Sequence, residues 1–522
     1  MDSLITFAAF FGLALLVWDC VDVGRNDAAN LVNAVFGARV MKRRRAVWLA
    51  GLAVVVGAVF SSAVMETARK GVFTPGMLDE LLGDMSRWGA ITIYISVYLV
   101  DTVLLYTYSA FGMPVSTTAT LVFSLVGAAV GVSGAMDIVS WDKVGTILIA
   151  IVVSIILSGI SGFLAQRAFR GAIRDKAEDH ETVMLHGPWV AGIIFTWLFW
   201  FLVMKGLHSV PIVQLIKKQT FEIYNTYAIL LVAWAILATI IYMILKILGE
   251  RGTKYLFHST AIVGMLCMAF AFGQNDLANC ASPGLSAFYI YGHPDVSVGA
   301  ATKIDISKWL LFFCGSLIVI GMTTKNAQRV TRAEVNTGSQ FDQVALWAPQ
   351  WCRSLASLFV KKHDPEIVIA PDPSTTETGK RIHYDTLRAS VIMAVSASVI
   401  AFASSKGYPV STTYVAFAAV VATGWGDRVF DRGDADLKLG RAIWVVTSWF
   451  IAGFLAMFAA GVVAFLVYRL TWLGFVVCTL ANLGTRYYFK RRADRHEATY
   501  HPKRPKPGVA SAGGDDDPED HD

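Results

Sequence analysis

The chain has 522 residues, 55% hydrophobic and 16% charged, with a mean hydropathy of +0.53, a balance too apolar for a water-soluble enzyme of this length. Its formal net charge of +6 does not point to nucleic acid, because the basic residues sit in short clusters between apolar runs, as loops on the positive-inside face of a membrane do. The six cysteines lie mostly inside apolar runs without paired or CxxC spacing, which argues against a disulfide frame or a zinc site.

Apolar stretches long enough to cross about 30 Å of hydrocarbon recur along almost the whole chain, so the expected fold is an all-α polytopic integral membrane protein. Taken in order, helices are predicted near 4–23, 46–65, 89–108, 115–133, 144–166, 189–206 and 226–248. A second set is predicted near 256–281, 308–324, 387–405, 409–424, 441–468 and 472–489. The N-terminus lacks a basic n-region, so the first run reads as a retained helix. Arg39, Lys42, Arg43, Arg44 and Arg45 place the first loop inside, and the basic tail at 490–495 follows it there.

The pattern divides into a first membrane repeat (1–166), connecting helices (167–255), and a second repeat (256–324 and 387–489) interrupted by a polar, cytoplasmic linker at 325–386. Counting the short 115–133 and 409–424 segments as crossings makes the two repeats antiparallel in the membrane. That is the inverted-repeat architecture of secondary transporters, with discontinuous or re-entrant helices. Within the linker, Trp347, Trp351, Leu355 and Phe359 recur every four residues beside basic groups, which predicts a short helix on the membrane surface. Residues 490–522 end in an acidic run and read as a disordered tail.

The chemistry concentrates in polar insertions. Gly24-Arg25-Asn26-Asp27-Ala28-Ala29-Asn30 follows an apolar run, and Gly273-Gln274-Asn275-Asp276-Leu277-Ala278-Asn279 repeats it in the second half. An acid inside a membrane segment costs roughly 2.5–3.5 kcal/mol and signals function. On a helix Asp19, Asp22, Asn26, Asn30 and Asn33 form one stripe that cannot face lipid, while Asp27 points about 100° from Asn26. Gly24 is a place for the helix to unwind and offer carbonyls, which with Asn and Asp oxygens suit a hard cation such as Na+; a proton-accepting carboxylate is the alternative use. The bland reading is a polar helix–helix contact, which duplication in phase weakens.

A second motif, Pro114-Val115-Ser116-Thr117-Thr118, recurs as Pro409-Val410-Ser411-Thr412-Thr413. Each copy follows a Gly and opens a small-residue helix, so N–H groups, the dipole and hydroxyls converge on an oxyanion site. Ordinary capping is the competing reading. Ser374-Thr375-Thr376 in the linker opens no helix and is assigned no role. Glu66 at the end of the second helix has a solvated boundary as its plain reading, as do Lys303 and Asp305. Asp101, mid-helix, is either an ion-path residue or the partner of a base such as Arg25.

In that order, the paired GxNDxAN motifs, the Glu66-Thr67-Ala68-Arg69-Lys70-Gly71 stretch and the paired PVSTT motifs resemble the inorganic phosphate transporter (PiT) family of permeases. The resemblance covers roughly 1–166 and 256–468. It implies phosphate moved with Na+ or H+, with no other cofactor, by a multi-pass protein of the cell membrane that is no enzyme, binds no nucleic acid and has scope to form homo-oligomers. Carried over, Asn26, Asp27, Asn275 and Asp276 would serve the coupling cations, and Ser116, Thr117, Thr118, Ser411, Thr412 and Thr413 the anion. Glu66 matches an acid the family associates with transport, and Asp22, Asp101, Arg25, Asn30 and Asn279 are further candidates for a part in transport. The chain departs from the pattern at Arg25, Gln274 and Ala119, and Met322-Thr323-Thr324 lacks the acid of Met65-Glu66-Thr67. A sulfate permease of the same fold is the alternative; a membrane enzyme acting on a phosphorylated lipid is the more distant one.

Overall fold

The computed structural model describes residues 2–61, 72–207, 210–294, 298, 306–360, 374–375, 381–431 and 433–500. In chain order its helices are α1 (Asp2–Gly37), α2 (Arg43–Ala58), α3 (Pro75–Leu82), α4 (Ser86–Ala110), α5 (Thr117–Ser133) and α6 (Trp141–Ile173). They continue with α7 (His180–Leu198), α8 (Pro211–Ile216), α9 (Thr226–Leu248), α10 (Glu250–Gly292) and α11 (Lys308–Met322). Then come α12 (Lys325–Thr337), α13 (Gln350–Ser357), α14 (Thr386–Ser405), α15 (Thr412–Gly426), α16 (Ala435–Leu470) and α17 (Trp472–Tyr500). A two-residue hairpin pairs Ser374 with Ile382 and Thr375 with Arg381.

Among the described residues eight helical stretches are long and apolar enough to span a membrane, or nine if the bent pair α11–α12 counts as one. The fold is all-α and polytopic, as expected. The shortfall against the predicted crossings falls on α2, α5, α15 and α17, which are too short or too charged. Burial grades outward: most of the α3–α4 and α14 spans are enclosed, at 94% and 89%, whereas only 11% of α9 is. Thus α4 and α14, the helices that lead into the two PVSTT motifs, form the centre, and α9 presents Tyr227, Leu231, Val232 and Ile247 outward.

The two repeats exchange partners. α1 packs on α11 and α10 packs on α2, while α5 packs on α16 and α15 on α6. Glycines set the first two contacts. A Cβ on Gly24 would stand 1.8 Å from the carbonyl oxygen of Ile318, and one on Gly321 2.0 Å from that of Val21. In the mirrored contact a Cβ on Gly273 would meet Val54 O at 2.2 Å, and one on Gly57 would meet Phe270 O at 2.1 Å. Small residues let helix backbones approach in lipid, where no hydrophobic force drives helices together.

Three expectations change here. α1 and α10 run unbroken through Asn26-Asp27 and Asn275-Asp276, so Gly24 and Gly273 permit close packing rather than unwinding. The interruption in α10 comes later, at Pro283: the Tyr98 hydroxyl donates to Cys280 O (2.6 Å) and accepts from Gly284 N–H (2.8 Å), replacing one rung of the helix. The segment 325–386 is not simply a polar connector. α12 is bent 69° from α11 and buries Ala327, Val330, Thr331, Glu334 and Val335 against α1 and α4. At the other end α17 extends as helix to Tyr500, through the basic residues expected in a disordered tail; the acidic end lies outside the described residues.

Replacing Gly24 by Ala is expected to cost about 1–3 kcal/mol through overpacking. The same change at Gly159, whose Cβ would enter open space, should be neutral or stabilise by up to about 1 kcal/mol. Thermal unfolding of the two variants in one detergent checks the contrast.

Candidate functional site

The turns that deliver the PVSTT motifs are alike in both repeats. α4 ends through Gly112 at φ +64°, with Met113 N–H bonded to Tyr108 O (2.9 Å); α14 ends through Gly407 at φ +72°, with Tyr408 N–H bonded to Ala403 O (3.1 Å). Left-handed backbone at this position is what glycine allows, and the pattern satisfies carbonyls left over at a helix end. Proline follows each turn, and the next helix opens on serine. Ser116 Oγ accepts from Ala119 N–H (3.0 Å) and Ser411 Oγ from Tyr414 N–H (3.2 Å). For these two serines the capping reading is the one realised.

The asparagines of the ND motifs clamp the same turns within their own repeat. Asn26 Oδ1 accepts from Val115 N–H (3.1 Å), while its amide donates to Ser109 Oγ (3.0 Å). Asn275 donates to Val410 O (2.7 Å) and accepts from Val410 N–H (3.3 Å). The aspartates cross over instead. Thr413 Oγ1 donates to Asp27 Oδ1 (2.8 Å), and Thr117 Oγ1 donates to Asp276 Oδ1 (2.8 Å). Asn30 and Asn279 each hold the adjacent acid, at 3.0 and 3.1 Å. Their amides also reach Thr413 Oγ1 (3.1 Å) and Thr118 Oγ1 (2.7 Å), and Thr118 donates to Val410 O (2.9 Å).

Both motifs of both repeats therefore meet in one buried locus. Asp27, Asn30, Asp276, Asn279, Thr117, Thr118, Thr412 and Thr413 are all under 5% exposed. Asp27 Oδ2, Asn30 Oδ1 and Asn279 Oδ1 have no hydrogen-bond partner among the described residues. Buried polar atoms are ordinarily satisfied, so these oxygens stand out among the polar groups of the bundle.

Arg25 and the remaining acids form a separate network beside the locus. Arg25 bonds Asp22 and lies over the Tyr106 ring (5.2 Å), so its charge is spent locally. Arg486, from α17, donates to Asp22 Oδ2 (2.6 Å) and to Thr102 O (2.7 Å). Asn482, one turn earlier, donates to Leu99 O (2.8 Å) and Thr102 Oγ1 (2.9 Å). Asp101 accepts from Ser124 Oγ (3.1 Å) rather than pairing with Arg25, and Asp19 is buried with one oxygen unpartnered. Glu66, Lys303 and Asp305 lie outside the described residues. Sequence reasoning missed Arg486 and Asn482, although their spacing of four on an apolar helix marks one polar face.

It also missed Glu334. Asn33, at the end of the α1 stripe, donates to Glu334 Oε1 (2.7 Å). Apolar Ala327, Val330 and Val335 share the buried face of α12 with it, a helical spacing visible in the sequence but masked by the charge of the surrounding segment. Nearby, His383 sits against Ser339 Oγ (2.9 Å), and burial followed by Arg39, Arg381 and Lys438 pushes it down to about 3, so it is neutral at physiological pH.

Two repeats that interlock through buried acid–hydroxyl pairs in an apolar helical bundle define the class as a polytopic membrane protein. A sequence profile of the phosphate transporter family matches residues 23–333, and the chain belongs to that family. A relative from Pyrococcus abyssi, provisionally named a phosphate permease, is 23% identical over 476 residues, covering 91% of this chain and 99% of its own. A Thermococcus kodakarensis relative with the same provisional name is 25% identical over 452 residues, covering 86% and 93%. Among solved structures, one described as the sodium-dependent phosphate transporter superposes with a TM-score of 0.62 at 20% identity, covering 90% of this chain and all of that one. That likeness supports the fold.

Removing the Arg486 side chain as Arg486→Met leaves buried Asp22 with Arg25 alone and is expected to cost about 1–3 kcal/mol. Arg486→Lys should recover less than half, since an ammonium lacks the fork that reaches Asp22 and Thr102 O together. Chemical unfolding in detergent of the two variants is the check.

Proposed function

We propose that the chain carries inorganic phosphate across the membrane by cation-coupled symport, with alternating access between two inverted repeats. The observation that carries this reading is the crossed pairing of Thr413 with Asp27 and Thr117 with Asp276. It brings oxygen ligands suited to a hard cation and hydroxyl donors suited to an oxyanion to the same helix N-termini.

The pairing supplies a coupling chemistry. A threonine hydroxyl has one proton to donate. While it serves a bare carboxylate it is unavailable to an anion, and the carboxylate repels that anion. A cation held by Asp27 or Asp276 takes over the Oδ1 that the threonine serves, offsets the repulsion, and frees Thr413 or Thr117 to turn its hydrogen toward phosphate, leaving Asp27 Oδ2 open to the anion. Ser116 and Ser411 contribute as caps that hold each helix start in place. Moving a dianion into a cell at 100 mV negative costs about 4.6 kcal/mol, which two monovalent cations cancel. Two aspartates meet that requirement.

The unpaired Asp27 Oδ2 favours phosphate over sulfate. A protonated phosphate donates a hydrogen bond to it, whereas sulfate at neutral pH carries no proton to give. Purified protein in proteoliposomes, with radiolabelled phosphate and Na+ or pH gradients imposed separately, is expected to accumulate phosphate in response to one of them. Excess phosphate, not sulfate, should compete. Asp27→Asn and Asp276→Asn should each lower uptake by about 10- to 100-fold. Uptake that persists in both aspartate variants would remove the cation role, and equal competition by sulfate would replace the substrate.

A further inference from the structure

On the outer surface, away from the buried locus, α6, α15 and α16 enclose an elongated apolar groove of about 740 Å³. Ile156, Ile160 and Phe163 of α6, Phe417 and Val421 of α15 and Ile443 of α16 line it. Its polar groups are bonded internally where it runs deepest: Thr447 Oγ1 donates to Ile443 O (2.9 Å) and Trp449 Nε1 to Pro114 O (3.1 Å). In a bilayer such a groove takes an apolar chain.

The two ends of the groove differ. At one end Trp425 is 43% exposed, and Arg167 continues the helical row Ile156, Ile160, Phe163 on the same face of α6. Arg167 Nη1 donates to Gly426 O (3.2 Å), and no carboxylate among the described residues pairs with it. Asp427, next to that carbonyl, is taken by Gln166 Nε2 (2.9 Å) and Arg170 Nε (2.9 Å). The helix α13 closes this end. Its Ala356 packs with Phe430 and Leu439, beside Val421 and Ile443 of the groove, while Trp351, Leu355 and, just after the helix, Phe359 are exposed. Exposed tryptophans and apolar groups beside arginines belong at the level of lipid headgroups. From there the groove runs about 14 Å inward, counted from Leu164 back to Ile155 at 1.5 Å per residue, close to the roughly 15 Å of hydrocarbon in one leaflet. At the inner end the rings of Phe417 and Trp449 meet at 5.5 Å, and Trp449 stacks on Tyr414 at 3.8 Å.

We infer that the groove binds one chain of an anionic phospholipid, with the headgroup phosphate held by Arg167 beside Trp425. A headgroup of net negative charge complements an arginine that has no acid of its own, whereas a zwitterionic one brings a second cation to the same place. The lipid lies along the outer face of α15, the helix that opens on Thr412 and Thr413, and its chain ends against Trp449, which bonds the proline of the other PVSTT motif. It fills space between α15 and α16 that side chains leave open.

The test uses the full chain purified in detergent and titrated with dioleoyl phosphatidylglycerol or dioleoyl phosphatidylcholine, with native mass spectrometry counting the lipids retained. One phosphatidylglycerol per chain should be retained at a concentration about fivefold lower than phosphatidylcholine requires. Arg167→Gln should erase that preference and leave phosphatidylcholine retention unchanged, and Arg167→Lys should keep it. Gly159 lines the groove, and a Cβ there meets nothing within 4 Å, so Gly159→Leu should fill the groove and weaken retention of both lipids. Phosphatidylglycerol with a photoreactive acyl chain should label peptides 155–164 and 417–425 more densely than the exposed face of α9. Equal retention of the two lipids by the wild type, a preference that survives Arg167→Gln, or labelling no denser in the groove than on α9 overturns the site. A lipid-free dimer with the groove peptides shielded from label also overturns it, and gives the groove to a second copy of the chain.

Discussion

The structure turns on two buried carboxylates that have no basic partner among the described residues. Asp27 and Asp276 are fully enclosed, and the hydrogen-bond donors that reach them are neutral: a threonine hydroxyl from the opposite repeat and an asparagine amide from the same helix. In a low-dielectric interior neutral donors alone repay only part of the cost of desolvating a carboxylate. Arginines are available a turn away. Arg25 and Arg486 are both drawn off by Asp22 and the Tyr106 ring. The network around Asp22 thus keeps fixed positive charge out of the locus.

Bringing those carboxylates to hydroxyls more than 150 residues distant requires the repeats to interlock, and glycine contacts make that possible. Gly24 and Gly321 seat α1 on α11; Gly273 and Gly57 seat α10 on α2. Each pair joins one repeat to the other. The ND helices are therefore held against the partner repeat by backbone contact, while their asparagines grip the PVSTT turn of their own.

Much of this was legible in the sequence because the motifs are duplicated. The ND and PVSTT copies announced one polar locus per repeat, and the helix periodicity placed Asn26, Asn30 and Asn33 on one face, where they are found buried. The crossing of the aspartates to the opposite repeat was not legible, since it depends on how the repeats interdigitate and spacing within one repeat carries no information about the other. Gly24 was misread for a related reason. A glycine beside polar residues signals either a broken helix or a close approach, and only the position of Ile318 decides. Glu334 and Arg486 were hidden by composition: one in a charged segment read as a connector, the other on a last helix whose basic end suggested solvent.

The asymmetry between the repeats follows from the same physics. Identical motifs in identical surroundings would make the two repeats equivalent. Here the first carries Asn33 and Glu334 beyond Asp27, whereas the second carries Ser282 and, just past Asn279, the Tyr98 hydroxyl inserted at Pro283. Tyr98, from the enclosed helix α4, takes the place of the backbone rung between Gly284 and Cys280. The first repeat thus carries a polar row beyond its acid, and the second a helix whose ladder is completed by a side chain of the other repeat.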